Sequence, residues 1–258
     1  MFAEERLLRI VEMVKRSGKA TVAELSEALS VSPVTIRRDL ERLEEEQLLY
    51  RTHGGAISPE RSFRETAHER SFAEKEDAFI EEKERIAEEA ARLVNDGDAV
   101  LMTPGTTNMV LARHLIGKKE LTVVTNAVNI AAALGGQTGW NVMLTGGRLR
   151  PQSFALVGPL AERSLSDMRV DKLFIGVDGI DLREGITTPN MEEAGVNRQM
   201  INIAKEVIIV ADRSKFGKVA FSRIAGLDTV HTIVTDSKLP EVDAEQIRKD
   251  TDIKLILA

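Results

Sequence analysis

Apolar residues recur at the spacing of an amphipathic helix from the start of the chain. Within 5–15, one side of such a helix collects five aliphatic side chains, Leu7, Leu8, Ile10, Val11 and Val14. Gly18 ends this run, and Thr21 with Glu24 three residues later forms a capping box ahead of a second apolar stretch. The pattern predicts a first helix over 5–15 and a shorter second helix over 22–29.

A third helix is predicted directly afterwards. Ser32 suits its N-cap, and Pro33 suits its first turn because the N–H that proline lacks has no partner within the helix there. Ile36, Leu40 and Leu43 follow at the i, i+4, i+7 spacing that docks a helix onto a core. Three helices joined in this way predict a helix-turn-helix.

The polar side of this third helix suits the DNA major groove. Arginine pairs with guanine edges, threonine reaches phosphates or a thymine methyl group, and a helix N-terminus favours phosphate. The candidate DNA contacts are Ser32, Pro33, Val34, Thr35, Arg37 and Arg38. Taken alone, the segment is also compatible with an ordinary amphipathic surface helix.

A wing is predicted over 48–56. Its β-type residues lead into paired glycines, which suits a strand, a tight turn and a returning strand. Arg51, His53 and Gly54 would lie on this wing near a phosphate backbone, and they complete the predicted DNA-binding set.

Residues 5–57 resemble the winged helix-turn-helix of the DeoR family of bacterial sugar-catabolism regulators. The matching runs are R-x-x-x-I-x-x-x-V-x-x-x-G, then V-x-x-L-x-x-x-L-x-V-S-x-x-T-I-R-R-D-L, then R-x-H-G-G-A. The T-I-R-R-D-L run and the H-G-G-A wing are specific in combination, whereas a helix-turn-helix alone is shared by many regulator families. The resemblance implies double-stranded operator DNA as a partner.

Composition fits a regulator of this kind. The 258 residues suggest a small and a larger domain, and the absence of cysteine excludes disulfides, thiol nucleophiles and cysteine-ligated metals. We expect no metal, no cofactor and no membrane segment, and a cytoplasmic protein, because no apolar run reaches spanning length. The net charge of −6 requires that DNA binding rest on a local basic patch.

The predicted domains are a winged helix-turn-helix over 1–57, a charged linker over 58–76 and an effector-binding domain over 77–258. In the last of these, a helix over 77–94 precedes alternating strands and helices. The strands are predicted over 99–102, 121–124, 141–144, 172–177, 206–211, 230–235 and 254–257. The helices between them are predicted over 106–116, 127–134, 159–168, 192–203 and 244–249. This alternation predicts an α/β fold with a mostly parallel, doubly wound sheet.

Polar and glycine residues gather in the loops that follow five of these strands, and ligands of such sheets bind beyond the carboxyl ends of the strands. The candidate effector contacts in these loops are Gly105, Thr106, Thr107, Asn108, Thr125, Asn126, Gly146, Gly147, Arg148, Asp178, Asp181 and Lys215. Free N–H groups, hydroxyls and cations suit a phosphate, and carboxylates suit sugar hydroxyls. The 103–108 loop alone fits a capped turn equally well, but the five loops together predict a pocket for a phosphorylated sugar.

Residues 77–258 resemble the effector domain of the same family, which is similar in turn to ribose-5-phosphate isomerase. P-G-T-T at 104–107, D-G-I-D at 178–181 and D-R-S-K at 212–215 resemble the isomerase's own motifs. The isomerase carries a lysine in the segment after its paired aspartates, whereas 185–194 has none here. The resemblance therefore implies sugar-phosphate binding without catalysis, because the stabiliser of the developing oxyanion is missing.

Two departures from the family pattern bear on the effector. Thr103 and Pro104 replace the usual Asp-Ser ahead of the phosphate loop, which removes a hydroxyl and an N–H. The usual E-A-x-x-K-R becomes Glu193 to Arg198 with Asn197 in place of lysine, and these three residues join the candidate site. An asparagine there resembles the subgroup around the N-acetylgalactosamine regulator and suits an acetamido group, while a tagatose or other hexose phosphate fits nearly as well.

Three function classes follow from the sequence. The preferred one is a non-enzymatic repressor of a sugar-catabolism operon that a phosphorylated sugar releases from its operator, acting as a homo-oligomer, either dimer or tetramer. The second is a sugar-phosphate isomerase or lyase fused to a DNA-binding module. The third is a constitutive DNA-binding or activating protein whose C-terminal domain only assembles the oligomer.

Overall fold

The computed structural model describes residues 3–17, 19–45, 48–52, 55–57, 71–76 and 78–258. The chain divides into two compact units, Met1–His68 and Glu69–Ala258, and each is described by itself. The second unit begins inside the predicted linker, so the C-terminal end of that linker belongs to the larger unit.

The first unit is a winged helix-turn-helix, as predicted. Its elements are α1 Ala3–Ser17, β1 Lys19–Thr21, α2 Val22–Leu29, α3 Pro33–Glu45, β2 Tyr50–Thr52 and β3 Gly55–Ile57. The capping box before α2 forms as expected, since the Thr21 side chain accepts from the Glu24 N–H and the Glu24 carboxylate accepts from the Thr21 N–H. The helices close over a buried aliphatic core formed by Ile10, Val14, Leu25, Leu29, Ile36, Leu40 and Leu43.

Both strands of the predicted wing form, as β2 and β3, and they are joined by a third strand, β1, that the sequence pattern did not predict. Strand β3 pairs antiparallel with β2 on one side and with β1 on the other, which ties the wing to the turn between α1 and α2. Gly55 makes this contact possible, because a Cβ built there would lie 2.0 Å from the carbonyl oxygen of Ala20. The second wing glycine is therefore required by the packing of two backbones.

The second unit is built on a seven-stranded parallel sheet in the order β15-β14-β12-β9-β4-β5-β6. Its strands are β4 Ala99–Met102, β5 Thr122–Thr125, β6 Asn141–Leu144, β9 Val170–Ile175, β12 Ala204–Val210, β14 Thr232–Thr235 and β15 Lys254–Leu257. Its helices are α4 Phe72–Glu76, α5 Ile80–Arg92, α6 Thr106–His114, α7 Val128–Leu134, α8 Pro159–Leu165, α9 Met191–Ile203 and α10 Glu241–Asp250. The predicted fold class is confirmed.

Helices cover both faces of this sheet. Successive side chains along a strand point to opposite faces, so they join the two hydrophobic layers alternately. Leu173 and Ile175 of β9 pack with α8, α9 and α10, whereas Phe174 between them packs with α5, α6 and α7. Strand β4 alternates in the same way, with Leu101 in the first layer. In the inner strands of the sheet both faces are buried, which explains why these strands read as continuous apolar runs.

Two small antiparallel sheets were not predicted. Strands β7 Arg148–Arg150 and β8 Ala155–Val157 form a hairpin, and β10 Gly179–Asp181, β11 Gly185–Thr188 and β13 Ser222–Ala225 form a three-stranded sheet. These strands have three or four residues each, too few for alternation to stand out from the surrounding sequence.

The order in which the chain adds strands to the main sheet reverses between β4 and β9. From β4 it runs outward through β5 to β6, and it returns to the other side of β4 at β9 before continuing to β15. The loops after β4 and β9 therefore diverge, which opens a crevice at the carboxyl ends of these two strands. No helix in the described part of the chain combines the length and apolarity needed to cross a bilayer.

Candidate functional site

The first candidate site is the outward side of α3. Ser32, Pro33, Val34, Arg37 and Arg38 are exposed, with 68% of Val34 accessible. The Thr35 N–H donates to Ser32 Oγ at 3.2 Å, so Ser32 caps the helix as predicted. An exposed aliphatic side chain beside two arginines is a surface suited to base edges and phosphates.

Asp39, in the middle of the R-R-D-L run, faces inward. Its carboxylate accepts two hydrogen bonds from Arg6 of α1, Nε to Oδ2 at 2.5 Å and Nη2 to Oδ1 at 3.1 Å. This pairing raises the pKa of the Arg6 guanidinium. The bidentate geometry fixes the orientation of α3 against α1, so Asp39 positions the two exposed arginines that precede it.

The wing residues are only partly described. Arg51 lies in the middle of β2, opposite Ala56 of β3. His53 and Gly54 lie outside the described residues, so their predicted DNA contacts stay predictions.

The second candidate site is a cavity of about 120 Å³ at the divergence of the β4 and β9 loops. Nine of the predicted effector contacts line it: Gly105, Thr106, Thr107, Asn108, Asn126, Asp178, Glu193, Asn197 and Lys215. Loops that are far apart in sequence thus meet where the topology of a doubly wound sheet places its ligand.

The turn into α6 forms one wall of the cavity. Gly105 precedes the helix at φ +146° and provides no side-chain cap, so the first N–H groups of α6 are left for another acceptor. Asn108 holds this turn, because its Nδ2 donates to the Thr103 carbonyl at 2.9 Å and to the Phe174 carbonyl at 3.0 Å. Its Oδ1 is buried and has no hydrogen-bond partner among the described residues.

Asp178 faces the cavity from the loop after β9. Its Oδ1 accepts from Lys75 Nζ at 2.7 Å, and its Oδ2 accepts from the Thr188 hydroxyl at 3.2 Å. Burial raises the pKa of this carboxyl, but the charges of Lys75 and Lys215 and these two hydrogen bonds outweigh the burial and hold the pKa below its usual value. Asp178 is therefore an anion at neutral pH and acts as an acceptor.

Glu193 lines the cavity with its carboxylate already engaged. Arg150 Nη1 donates to it at 2.7 Å, and the Ser153 hydroxyl donates to the same oxygen. Both arginine and glutamate side chains are mostly buried, with 10% and 13% exposed. The pair fastens the β7–β8 hairpin to α9, next to Asn197, which also lines the cavity.

Six predicted contacts lie outside the cavity lining. The Thr125 hydroxyl donates to the Met102 carbonyl, and Asp181 accepts the N–H groups of Arg183 and Glu184 in the β10–β11 turn. The others are Gly146, Gly147, Arg148 and Arg198.

Packing and pairing explain where those four lie. Gly146 and Gly147 pack against α8, where a Cβ on Gly146 would lie 3.0 Å from Leu160 Cγ. Arg148 points outward and pairs with Glu192, and Arg198 donates to the Arg223 carbonyl at 2.7 Å.

Lys75, Lys83, Gln152, Ser153 and Thr188 line the cavity and were missed from the sequence. Lys75 lies in the predicted linker over 58–76, and Lys83 lies in the predicted helix over 77–94. Gln152 and Ser153 belong to the tip of an unpredicted hairpin. Thr188 is within reach of sequence reasoning, because it lies in 185–194, the segment that corresponds to the lysine-bearing segment of the isomerase.

An ion-pair network adjoins the cavity beneath α5. Arg213 donates to Asp236 at 2.8 Å and to Glu82 at 3.1 Å, and Lys238 also donates to Glu82 at 3.0 Å. Hydrogen bonds from Lys238, from the backbone and from Arg213 lower the pKa of Glu82 to about 2. The Phe79 ring, part of the cavity wall, lies 5.0 Å from the Arg213 guanidinium carbon. The network fixes the start of α5 beside the cavity.

Comparison with known proteins assigns both units. Residues 6–62 match the DeoR-like helix-turn-helix domain, and residues 78–237 match the DeoR C terminal sensor domain. The fold and the two sites therefore define a DNA-binding transcriptional regulator with a separate sensor domain.

Relatives extend over almost the whole chain. It is 38% identical to the uncharacterized HTH-type transcriptional regulator YulB of Bacillus subtilis (strain 168), over 99% of this chain and 96% of the relative. It is 35% identical to a putative aga operon transcriptional repressor of Escherichia coli O157:H7, over 95% and 90%. It is 34% identical to the glycerol-3-phosphate regulon repressor of Escherichia coli (strain K12), over 96% of each. The chain belongs to the DeoR family.

Proposed function

We propose that this regulator represses a sugar-catabolism operon and leaves its operator when a phosphorylated sugar binds the cavity. The observation that carries the proposal is the placement of opposite chemistry across one small cavity. The uncapped N-terminus of α6 and the ammonium group of Lys215 suit a phosphate, and the Asp178 carboxylate suits hydroxyl groups. A ligand that satisfies both sides is an anionic polyol.

The relatives' names support an effector of this class. One relative is named for a glycerol-3-phosphate regulon and another for an aga operon. Asn197 is buried in the cavity wall and offers both a donor and an acceptor without charge, which suits an amide or a hydroxyl of the sugar. Hexose phosphates and acetamido-sugar phosphates are therefore both effector candidates.

Binding without catalysis fits the residues around Asp178. A sugar-phosphate isomerase needs a base and a cationic or donor group that stabilises the enediolate oxyanion. Here 185–194 contains no lysine, and the two ammonium groups whose charges act on Asp178 have other roles: Lys75 pairs with Asp178 itself, and Lys215 is assigned to the phosphate. An isomerase assay on pentose and hexose phosphates tests this alternative, and turnover above background would contradict the non-enzymatic function.

Operator binding is assigned to α3 and the wing. The exposed Arg37 and Arg38 lie where side chains reach base edges or phosphates, so replacing either with alanine should weaken operator binding by roughly 1–3 kcal/mol. Arg113→Ala, an exposed arginine on α6, is the control and should leave affinity unchanged. Gel-shift titration measures both, and wild-type affinity in Arg37→Ala and Arg38→Ala would contradict the assignment.

A homo-oligomer, either dimer or tetramer, is part of the proposal. A single winged module buries little DNA surface, and pairing two modules raises their effective concentration on a two-site operator. Analytical ultracentrifugation at micromolar protein, with and without operator, should show an even-numbered oligomer. A monomer under both conditions would contradict this part of the proposal.

Calorimetry tests the effector site. We would titrate the full chain with glucose 6-phosphate, fructose 6-phosphate, tagatose 6-phosphate, N-acetylgalactosamine 6-phosphate and inorganic phosphate. Asp178→Ala should abolish binding of the preferred sugar phosphate, whereas Asp181→Ala, outside the cavity, should retain it. Equal losses in both variants, or none in either, would show that the site is misplaced.

A further inference from the structure

The segment 71–76, at the C-terminal end of the predicted linker, is built into the cavity wall. The Phe72 N–H donates to the Gln152 carbonyl at 2.7 Å, and the Phe72 ring packs edge-on against Phe154 at 5.5 Å. Ser71 and Glu74 form a capping box at the start of α4, with the Ser71 N–H donating to Glu74 Oε2 at 2.7 Å. These contacts hold the first half of the segment on the β7–β8 hairpin.

Two lysines hold its second half. The Lys75 ammonium group reaches across the cavity to Asp178, where both side chains are about three-quarters buried. Lys83 of α5 is 4% exposed, and its ammonium group donates back to the carbonyls of Lys75 and Glu76. The segment is therefore fastened by one ion pair to the residue that we assign to the sugar hydroxyls.

The volume of the cavity limits which ligands fit while Lys75 is paired with Asp178. Its volume of about 120 Å³ is well below the roughly 300–1,000 Å³ of pockets that hold small molecules. A hexose phosphate needs more room than the cavity gives while Lys75 spans it. Lys75 lies close to the start of the second unit in the sequence, where the chain passes from the first unit into the second.

We infer that Lys75 and the effector compete for Asp178, and that 71–76 is the latch through which effector binding reaches the DNA-binding unit. The inference rests on the proposed function and names the regulation of that same site. With the latch closed, Lys75 occupies Asp178 and the protein binds its operator. An effector hydroxyl that takes Asp178 releases Lys75, and 71–76 loses its only described ion pair to the loop after β9.

Competition between Lys75 and the effector for Asp178 predicts a change in effector affinity that a purely structural role of Lys75 would not produce. Lys75→Met keeps the aliphatic stem and removes the ammonium group, so the open state no longer has to displace an ion pair. The variant should bind the preferred sugar phosphate at least about fivefold more tightly, the lower end of measured allosteric coupling. Its operator affinity should fall less than that of the wild type when the sugar phosphate is added. Lys75→Arg keeps a cation and should retain most of the wild-type response.

Lys172→Met is the matched control. Lys172, in the first half of β9, pairs with Asp98 at 2.6 Å, and both side chains are mostly buried. The cavity lies beyond the other end of this strand. Removing this ammonium group should lower thermal stability without changing either sugar-phosphate affinity or the operator response. The comparison therefore separates loss of a buried ion pair from loss of the latch.

The experiment combines calorimetry with operator titration of wild type, Lys75→Met, Lys75→Arg and Lys172→Met, using the sugar phosphate that the wild type binds. Tighter binding with a reduced operator response in Lys75→Met alone supports the latch. Unchanged values in Lys75→Met, or loss of sugar-phosphate binding, overturn it while leaving the proposed function standing. A wild type that binds no sugar phosphate overturns the proposed function, and the latch falls with it.

Discussion

Removing the Asp39 carboxylate should loosen α3 against α1 while leaving the exposed side chains of α3 chemically unchanged. In Asp39→Ala the Arg6 guanidinium loses both of its described acceptors, at 2.5 and 3.1 Å, in a place where only 13% of its side chain is exposed. The perturbation therefore acts directly on the packing of α3 against α1, and on Arg37 and Arg38 only through that packing.

The magnitude follows from the burial of the pair. Exposed ion pairs contribute about 0–1 kcal/mol, and breaking a fully buried pair costs about 3–5 kcal/mol. The pair between Arg6 and Asp39 lies between these limits, so we expect a loss of about 2 kcal/mol in the free energy of opening α3. At 1.4 kcal/mol for each factor of ten, the amides of α3 should exchange about 30-fold faster.

Hydrogen exchange resolved to the segment 33–45 measures this change. Trp140 is the chain's single tryptophan and belongs to the second unit, so its fluorescence checks that the sensor domain still unfolds normally. Arg6→Met/Asp39→Leu should restore protection to within about 1 kcal/mol of the wild type, because an apolar pair replaces both charges. Unchanged exchange in Asp39→Ala would refute the positioning role of Asp39.

Three further predictions concern stability. Gly55→Ala places a Cβ against the Ala20 carbonyl, so it should destabilise the wing by about 1–3 kcal/mol and weaken operator binding in a gel-shift titration. Glu82→Gln should lower the melting temperature at pH 7. The difference from the wild type should shrink as the pH falls from about 4.5, the ordinary pKa, toward the folded pKa of about 2. The stabilisation from a lowered carboxyl pKa is complete above the first value and is lost by the second. Phe174→Ala empties a fully buried site and should cost about 3–5 kcal/mol in urea unfolding followed by Trp140 fluorescence.

The main architecture could be predicted because its signals are strong and local. Buried parallel strands give continuous apolar runs, as β4 does, and the partly exposed edge strands β6 and β15 also lie where they were predicted. The caps at Thr21 and Ser32 are each specified by residues three positions apart. Such features need no knowledge of distant contacts.

The effector site was predicted only in part, for geometric reasons. Arg148 and Arg150 are two residues apart on a three-residue strand, so they share a face by simple alternation, yet Arg148 is exposed and Arg150 is buried against Glu193. Asp181 follows Asp178 by three residues, but the β10–β11 hairpin turns its carboxylate to the local backbone. Neither outcome follows from sequence spacing.

Lys75 shows most clearly what the sequence pattern could not predict. It stands in a run of charged residues, which is typical of a solvated linker, and its partner Asp178 lies 103 residues away. Only the fold of the second unit brings the two together. The residue that we assign to signalling was therefore the one that the sequence pattern placed outside both domains.

The most direct measurement is the operator affinity of the full chain as the concentration of its preferred sugar phosphate rises. We expect the operator Kd to increase roughly 5–150-fold and to saturate at the sugar-phosphate concentration that fills the cavity in calorimetry. Asp178→Ala also releases Lys75, so it should weaken operator binding without sugar phosphate and show no further change when sugar phosphate is added. An operator Kd that stays constant while calorimetry shows the cavity filled would contradict the proposed switch.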